Sequence, residues 1–344
     1  MPIPQHSPTR GFPVKLLNRP RTLVALGLVC LVCLVVPLAF RGGFMSAEAA
    51  PTPVPAPVDG DRAYKYLKQI CDIGPRPAGS EANRQQRVLV ASHFAKMGAK
   101  VTEQPFTTRD PRTGQVVNMA NLVGSWFPER KSRVVIGAHY DTRPFPDEEK
   151  DPKLRATPFI GANDGASGVA LLMEIAHHLK TLPTEWGVDL VLFDGEELVY
   201  GTNGDYFLGS KEFARRYVEE QDRTRPTYTY DAGLVLDMVG GRNMKLKQEP
   251  HSLSLAPRLV REVWGVARQL KARAFVTQVG RAVLDDHLPL NNGGIPTIDI
   301  IDFDYPYWHT AKDLPENCTG ASMGQVGKVV TAWLALPRAR PRSR

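Results

Sequence analysis

The feature that most constrains the fold is a regular alternation of short apolar runs with longer stretches of helical spacing. The apolar, β-branched runs lie at residues 122–123, 134–138, 188–193, 233–239 and 295–301. The helical stretches lie at residues 61–71, 80–97, 166–180, 210–217, 256–271 and 321–336. Strands that alternate with helices predict a single-domain, three-layer α/β sandwich with a mixed, mostly parallel central sheet. Residues 101–106 and 118–123 are expected to form an antiparallel hairpin at its edge.

Acidic and histidine residues follow the apolar runs. A charged group at the end of a buried strand is costly unless it meets a metal ion or another partner. Open parallel sheets bind ligands at the carboxyl ends of their strands, so the pattern predicts one shared crevice. The mixture of imidazole and carboxylate suits zinc. The residues concerned are His139, Asp141, Asp164, Glu196, Glu197, Asp237, Asp285, Asp286, His287 and His309.

The most specific of these signals is the pair Glu196-Glu197. Two adjacent carboxylates repel each other unless a cation or a shared proton relieves them. Adjacent side chains point in different directions, so one can bind a metal while the other acts as a general base. The alternative is a solvated acidic turn.

Two further residues, Asp164 and His139, have an ordinary structural alternative. Asp164 lies in a glycine-rich turn before a helix and is either a ligand or an N-cap. His139 is either a ligand, with Asp141 orienting its ring, or a strand-end histidine bonded to a turn.

The distribution of charge argues against a nucleic-acid partner. The formal net charge is +7, but nine basic residues lie in residues 1–41 and in the tail after Pro337. The body between them is therefore nearly neutral, whereas a nucleic-acid surface needs basic residues clustered on the body.

Residues 22–40 form an uncharged apolar run that is just long enough to cross a bilayer. The basic residues before it predict that the N-terminus stays in the cytoplasm and that the body is exported. The run is either an uncleaved signal anchor, which leaves the body tethered to the membrane, or a signal peptide cleaved after Ala49, which leaves it secreted or periplasmic. We therefore predict a basic n-region (1–21), the apolar run (22–40), a proline-rich tether (41–60), a catalytic domain (61–337) and a basic tail (338–344).

The exported body contains two cysteines, Cys71 and Cys318. An oxidising compartment permits a disulfide between them. Two unpaired buried cysteines are an equally ordinary outcome.

In their order along the chain, the motifs H-x-D, N-D-G, G-E-E, L-D-M, D-D-H and W-H-T resemble the M28 family of zinc-dependent exopeptidases and its glutaminyl cyclase relatives. The resemblance extends from residues 73–80 to the last helix. It implies a phosphorylase/hydrolase-like sandwich in which Asp164, Glu197 and His309 bind zinc. Glu196 would be the general base, and His139 with Asp237 would complete a second zinc site.

Two activities are compatible with this resemblance. A glutaminyl cyclase would use one zinc to convert the N-terminal Gln of peptides and proteins to pyroglutamate with release of ammonia. An aminopeptidase would use two zincs to hydrolyse N-terminal residues. The sequences DDHLPL and YPYWHT favour the cyclase, with Glu196, Asp237 and Asp285 in catalysis and Trp308 and Tyr305 at the substrate.

The chain also departs from the animal cyclases. Asp299 stands where they have a histidine, and the stretch after Glu197 lacks their tryptophan. A catalytically inactive ectodomain that binds a partner is a third hypothesis. It is disfavoured because no candidate ligand is missing.

Overall fold

The computed structural model describes residues 52–337, which form a six-stranded sheet covered by helices on both faces. The strands are β1 (Lys100–Arg109), β2 (Val116–Trp126), β3 (Ser132–His139), β4 (Gly187–Phe193), β5 (Val199–Tyr200), β6 (Asn203–Gly204), β7 (Thr229–Asp237), β8 (Leu246–Gln248), β9 (Phe275–Val279) and β10 (Thr297–Ile301). The helices are α1 (Gly60–Cys71), α2 (Glu81–Lys96), α3 (Ser167–Leu179), α4 (Leu208–Gln221), α5 (Pro250–Leu255), α6 (Pro257–Gln269), α7 (His287–Asn292) and α8 (Gly320–Leu334).

The order of the strands in the main sheet is β1-β2-β4-β3-β7-β10. Strands β4, β3, β7 and β10 are parallel, so their carboxyl ends meet at one edge. Strand β2 runs antiparallel to β4 and forms the edge hairpin with β1. The predicted mixed, mostly parallel sheet and its edge hairpin are confirmed.

The parallel strands are buried on both faces, as expected for a sheet between two helical layers. Alternate residues of β3 show this: Val134 and Ile136 pack into the larger cluster with α3 and α8, whereas Val135 packs into the other cluster with α4. Because both faces are covered by helices, a ligand can approach these strands only at their ends.

The N-terminal side of the domain is anchored before the first helix. Ala56 and Val58 are buried, and the Ala56 backbone N–H donates to Thr331 Oγ1 in α8 over 3.2 Å. Ser80 caps α2 by accepting from the Asn83 N–H, as its position in the sequence suggested. The packed body thus includes part of the predicted tether.

Three predictions concern the termini and the cysteines. Cys71 and Cys318 are both buried free thiols, so the disulfide alternative is not realised. Within residues 52–337, no helix combines the length and the hydropathy needed to cross a membrane. The apolar run at 22–40 and the basic tail lie outside the described residues.

Candidate active site

Loops from several elements bring the predicted residues to the carboxyl edge of the sheet. His139 is the last residue of β3 and Asp237 the last of β7, while Glu196 and Glu197 follow β4. Asp164 lies in the turn before α3, Asp285 lies just before α7, and His309 lies in the loop after β10. The convergence predicted from the sequence is therefore present in the structure.

Asp164, Glu197 and His309 form the first of two candidate metal sites. All three are buried, and each offers a ligand atom within 4.8 Å of the others. His309 Nε2 lies 2.8 Å from Glu197 Oε1 and 3.5 Å from Asp164 Oδ2. Asp164 Oδ2 and Glu197 Oε2 are buried without a hydrogen-bond partner. Unpartnered buried carboxylate oxygens around an imidazole nitrogen fit the donor set of a zinc ion.

The second candidate site shares Asp164 with the first. His139 Nε2 lies 3.2 Å from Asp164 Oδ1 and 3.2 Å from Asp237 Oδ1. Asp164 thus presents one oxygen to each histidine, which is the arrangement expected of a bridging ligand. The chain retains all five residues that two adjacent zinc ions would need.

The electrostatics of the first site are dominated by its clustered carboxylates. Burial and the Glu197 carboxylate raise the pKa of Asp164 to about 6. Although burial opposes it, Glu197 and Asp147 raise the pKa of His309 to about 10. In the metal-free protein a proton on this imidazole therefore takes the place that a cation would occupy, and metal binding must displace it.

Glu196 lies beside the ligands and faces the cavity. One of its oxygens is 3.9 Å from His139 Nδ1. Burial, together with the charges of Glu197 and Asp285, raises the pKa of Glu196 well above its usual range. A raised pKa makes this carboxylate a better proton acceptor than an exposed glutamate, which suits the predicted general base.

Asp141 lies beside the His139 ring and also holds the neighbouring turn. Its Oδ1 is 3.9 Å from His139 Nδ1, and although burial opposes it, Asp141 helps to raise the pKa of this imidazole. Its two oxygens also accept from the backbone N–H groups of Glu196 and Glu197, each over 3.0 Å. Asp141 therefore fixes the turn that separates the two glutamates.

The turn that carries Asp164 is held by a residue that the sequence did not reveal. Asp313 accepts from the backbone N–H groups of Asn163 and Asp164 over 2.8 and 3.0 Å, and Tyr305 donates its hydroxyl to Asp313 over 2.9 Å. Gly165 follows with a φ of +95°, and a Cβ there would meet the Asp141 carbonyl at 2.6 Å. The close approach of these two loops thus requires glycine.

A second acidic group lies behind the Glu196 side of the cavity. Asp285, His287 and Asp299 are buried with ligand atoms within 4.8 Å of one another, and Glu249 lies 3.4 Å from His287 Nε2. Burial and the charge of Asp285 raise the pKa of Asp299 well above its usual range. Asp299 can therefore carry a proton towards Asp285 at the position where the animal enzymes have a histidine.

A cavity of about 550 Å³ opens directly onto these groups. Trp308 forms part of its wall and stacks on the His309 ring, with the centroids 3.9 Å apart. The stretch after Glu197, which lacks the tryptophan of the animal cyclases, supplies Tyr206 and Phe207 to the same wall. Tyr305 is not among the residues that line the cavity, because its ring is buried behind the wall. The structure thus gives Tyr305 a supporting position rather than the predicted substrate contact.

The fold and the site together define an α/β protein with buried candidate metal sites at the carboxyl edge of its sheet. Residues 121–334 match peptidase family M28, and the chain belongs to that family.

Within the family the chain is similar both to proteins described as glutaminyl cyclases and to one described as an aminopeptidase. A solved glutaminyl cyclase of Fimbriiglobus ruber is 41% identical with a TM-score of 0.80, covering 84% of this chain and 100% of that one. A solved leucine aminopeptidase precursor of Bacteroides thetaiotaomicron is 33% identical with a TM-score of 0.75, covering 84% and 100%. The glutaminyl-peptide cyclotransferase of Bothrops jararaca is 26% identical over an alignment of 290 residues that covers 76% of this chain and 76% of that one.

Proposed function

We propose that this protein is a zinc-dependent glutaminyl-peptide cyclotransferase that converts the N-terminal Gln of peptides and proteins to pyroglutamate and releases ammonia. The observation that carries the proposal is the placement of Glu196, Asp285 and Trp308 around one cavity beside the Asp164–Glu197–His309 site. The similarity to solved glutaminyl cyclases supports it.

In this reaction the α-amine of the substrate attacks the side-chain amide carbon of the same glutamine. A C–N bond forms, the bond to the amide nitrogen breaks, and that nitrogen leaves as ammonia. A zinc ion held by Asp164, Glu197 and His309 would polarise the amide carbonyl when bound. Glu196 takes the proton from the attacking amine and delivers it to the departing nitrogen.

Two features of the cavity suit an intramolecular attack. Asp285 faces the cavity with Asp299 behind it, so its carboxyl oxygens are placed to accept a hydrogen bond from the substrate's amine close to Glu196. Trp308 and Phe303 present aromatic surface that holds the glutamine side chain and excludes water, the competing nucleophile. Attack within one molecule also has a large advantage in effective concentration.

The second candidate function is hydrolysis of N-terminal residues by a two-zinc aminopeptidase. The intact set of His139, Asp164 and Asp237 favours it, because it provides a place for a second ion. A solved leucine aminopeptidase precursor with 33% identity supports the same alternative.

The two functions are separated by their products and by their metal content. We expect the purified protein to release ammonia from a Gln-initiated peptide, to leave a fluorogenic Leu arylamide uncleaved and to contain one zinc per chain. Ammonia from the Gln-initiated peptide is measured with a coupled assay, the aryl amine released from the Leu arylamide by fluorescence, and zinc by elemental analysis. Cleavage of the Leu arylamide by a protein with two zincs, with no ammonia from the Gln-initiated peptide, would establish the aminopeptidase instead.

We also propose that the catalytic domain works outside the cytoplasm, on the strength of the apolar run at residues 22–40 and the basic residues before it. The full chain is expected in the membrane fraction of expressing cells if the run is an anchor, or in the periplasm or medium if it is removed. A chain without residues 1–49 is the control and should remain in the cytoplasm. Recovery of the full chain in the cytosol would overturn this proposal.

A further inference from the structure

Outside the two metal triads, one loop contacts both the ring and the backbone of His309. We call residues 143–149 the 143–149 loop. His309 Nδ1 lies 3.0 Å from Asp147 Oδ1, and the Glu148 backbone N–H donates to the His309 carbonyl over 3.1 Å. One turn further on, the Ala311 N–H donates to Glu149 Oε2 over 3.1 Å. The loop therefore holds both the ring and the backbone of this residue.

The backbone of His309 requires such support. Its φ is +52°, in the left-handed region that a residue with a Cβ rarely adopts. A strained conformation of this kind persists only where its surroundings determine it. Trp308 stacks on one face of the ring and Asp147 lies at its Nδ1 edge, so the orientation of the imidazole is fixed.

Asp147 determines which nitrogen of His309 is free. When Nδ1–H donates to Asp147, the lone pair is on Nε2, the nitrogen that faces Glu197 and Asp164. A carboxylate behind a metal-binding histidine sets the tautomer and the direction of the ring in this way.

Arg143 in turn fixes Asp147. Its Nε and Nη2 donate to the two Asp147 oxygens over 2.9 and 2.7 Å, a bidentate pair that defines the plane of the carboxylate. The guanidinium is buried, and it also donates to Tyr206 Oη over 3.3 Å and to Glu197 Oε1 over 3.5 Å. Glu197 Oε1 is thereby occupied, whereas Oε2 remains without a partner.

We propose that Arg143 and Asp147 are positioning residues that set the zinc affinity of the site, Asp147 through the His309 ring and Arg143 through Asp147 and Glu197. This inference rests on zinc binding alone, so it applies whether the site performs cyclisation or hydrolysis. Neither residue ends a strand, and the strand-end pattern of the sequence therefore did not reveal them.

The test is the zinc dissociation constant, measured by competition with a chromophoric chelator. We expect Asp147→Asn to raise the constant by about 10- to 100-fold, the usual effect of losing such a partner. Asp147→Glu, which keeps the charge, should recover part of the affinity. Asp151→Asn changes an exposed carboxylate two residues beyond the loop and should leave the constant unchanged.

A second variant covers the case in which Asp147→Asn does not fold. Arg143→Lys keeps the positive charge but loses the bidentate pair, so it should also raise the zinc dissociation constant. The visible spectrum of its Co²⁺ form should differ from that of the parent, because the ligand geometry changes. Zinc constants within about twofold of the parent in the folded variants, with an unchanged Co²⁺ spectrum, would overturn the proposal. Zinc binding without ammonia release by the parent would refute only the cyclase function.

Discussion

Glu196→Gln is expected to lower the rate of ammonia release from a Gln-initiated peptide by about 10²- to 10⁴-fold, the usual contribution of a general base. The amide has nearly the same shape as the carboxylate but cannot accept the proton of the attacking amine. Because the backbone N–H of this residue is held by Asp141, the turn and Glu197 should stay in place. The zinc content should therefore be unchanged.

The effect is measured as kcat for ammonia release alongside the zinc content of the same preparation. Glu185→Gln, an exposed carboxylate remote from the cavity lining, is the matched control and should keep full activity. Full activity of Glu196→Gln would show that another group moves the proton. Loss of zinc from the variant would show instead that Glu196 is a ligand.

The second large effect is expected at Asp164, because it belongs to both candidate metal sites. Asp164→Asn should lose zinc and all activity, since the amide brings no negative charge to the ion. Asp237→Asn distinguishes a one-zinc from a two-zinc enzyme. A one-zinc cyclase should keep its zinc after this substitution and release ammonia more slowly, whereas a two-zinc enzyme should lose one of its two ions.

Zinc content by elemental analysis and kcat for each variant decide between these outcomes. Both variants must first show the parent's circular dichroism spectrum. If Asp164→Asn bound zinc as tightly as the parent, the metal site proposed here would be incorrect.

The fold was largely predictable from the sequence because its long elements have clear periodicity. The β3 and β4 runs and the α3 and α8 stretches were located to within a few residues, since burial on both sides makes them continuously apolar. Strands β5, β6, β8 and β9 and helices α5 and α7 were missed. They have six residues or fewer, and tertiary contacts rather than local spacing determine them.

The site was predictable to the extent that its residues end buried strands. His139, Asp237 and the glutamate pair carry this signal, because charge is anomalous at such positions. The position of Tyr305 was misassigned, since the direction of a side chain in a loop does not follow from the sequence. Asp313 was missed for a related reason: an aspartate in a polar loop is ordinary until its partner is seen.

The shared position of Asp164 has a consequence for how enzymes of this type diverge. Asp164 faces both histidines. If zinc binds at both candidate sites, a change at His139 or Asp237 would remove the ion of the second site, while the ion of the first site would stay in place. Related enzymes could then differ in whether they bind one ion or two, with no intermediate form that binds none. New chemistry could thus arise on this scaffold in single substitutions, each of which leaves a working metal centre.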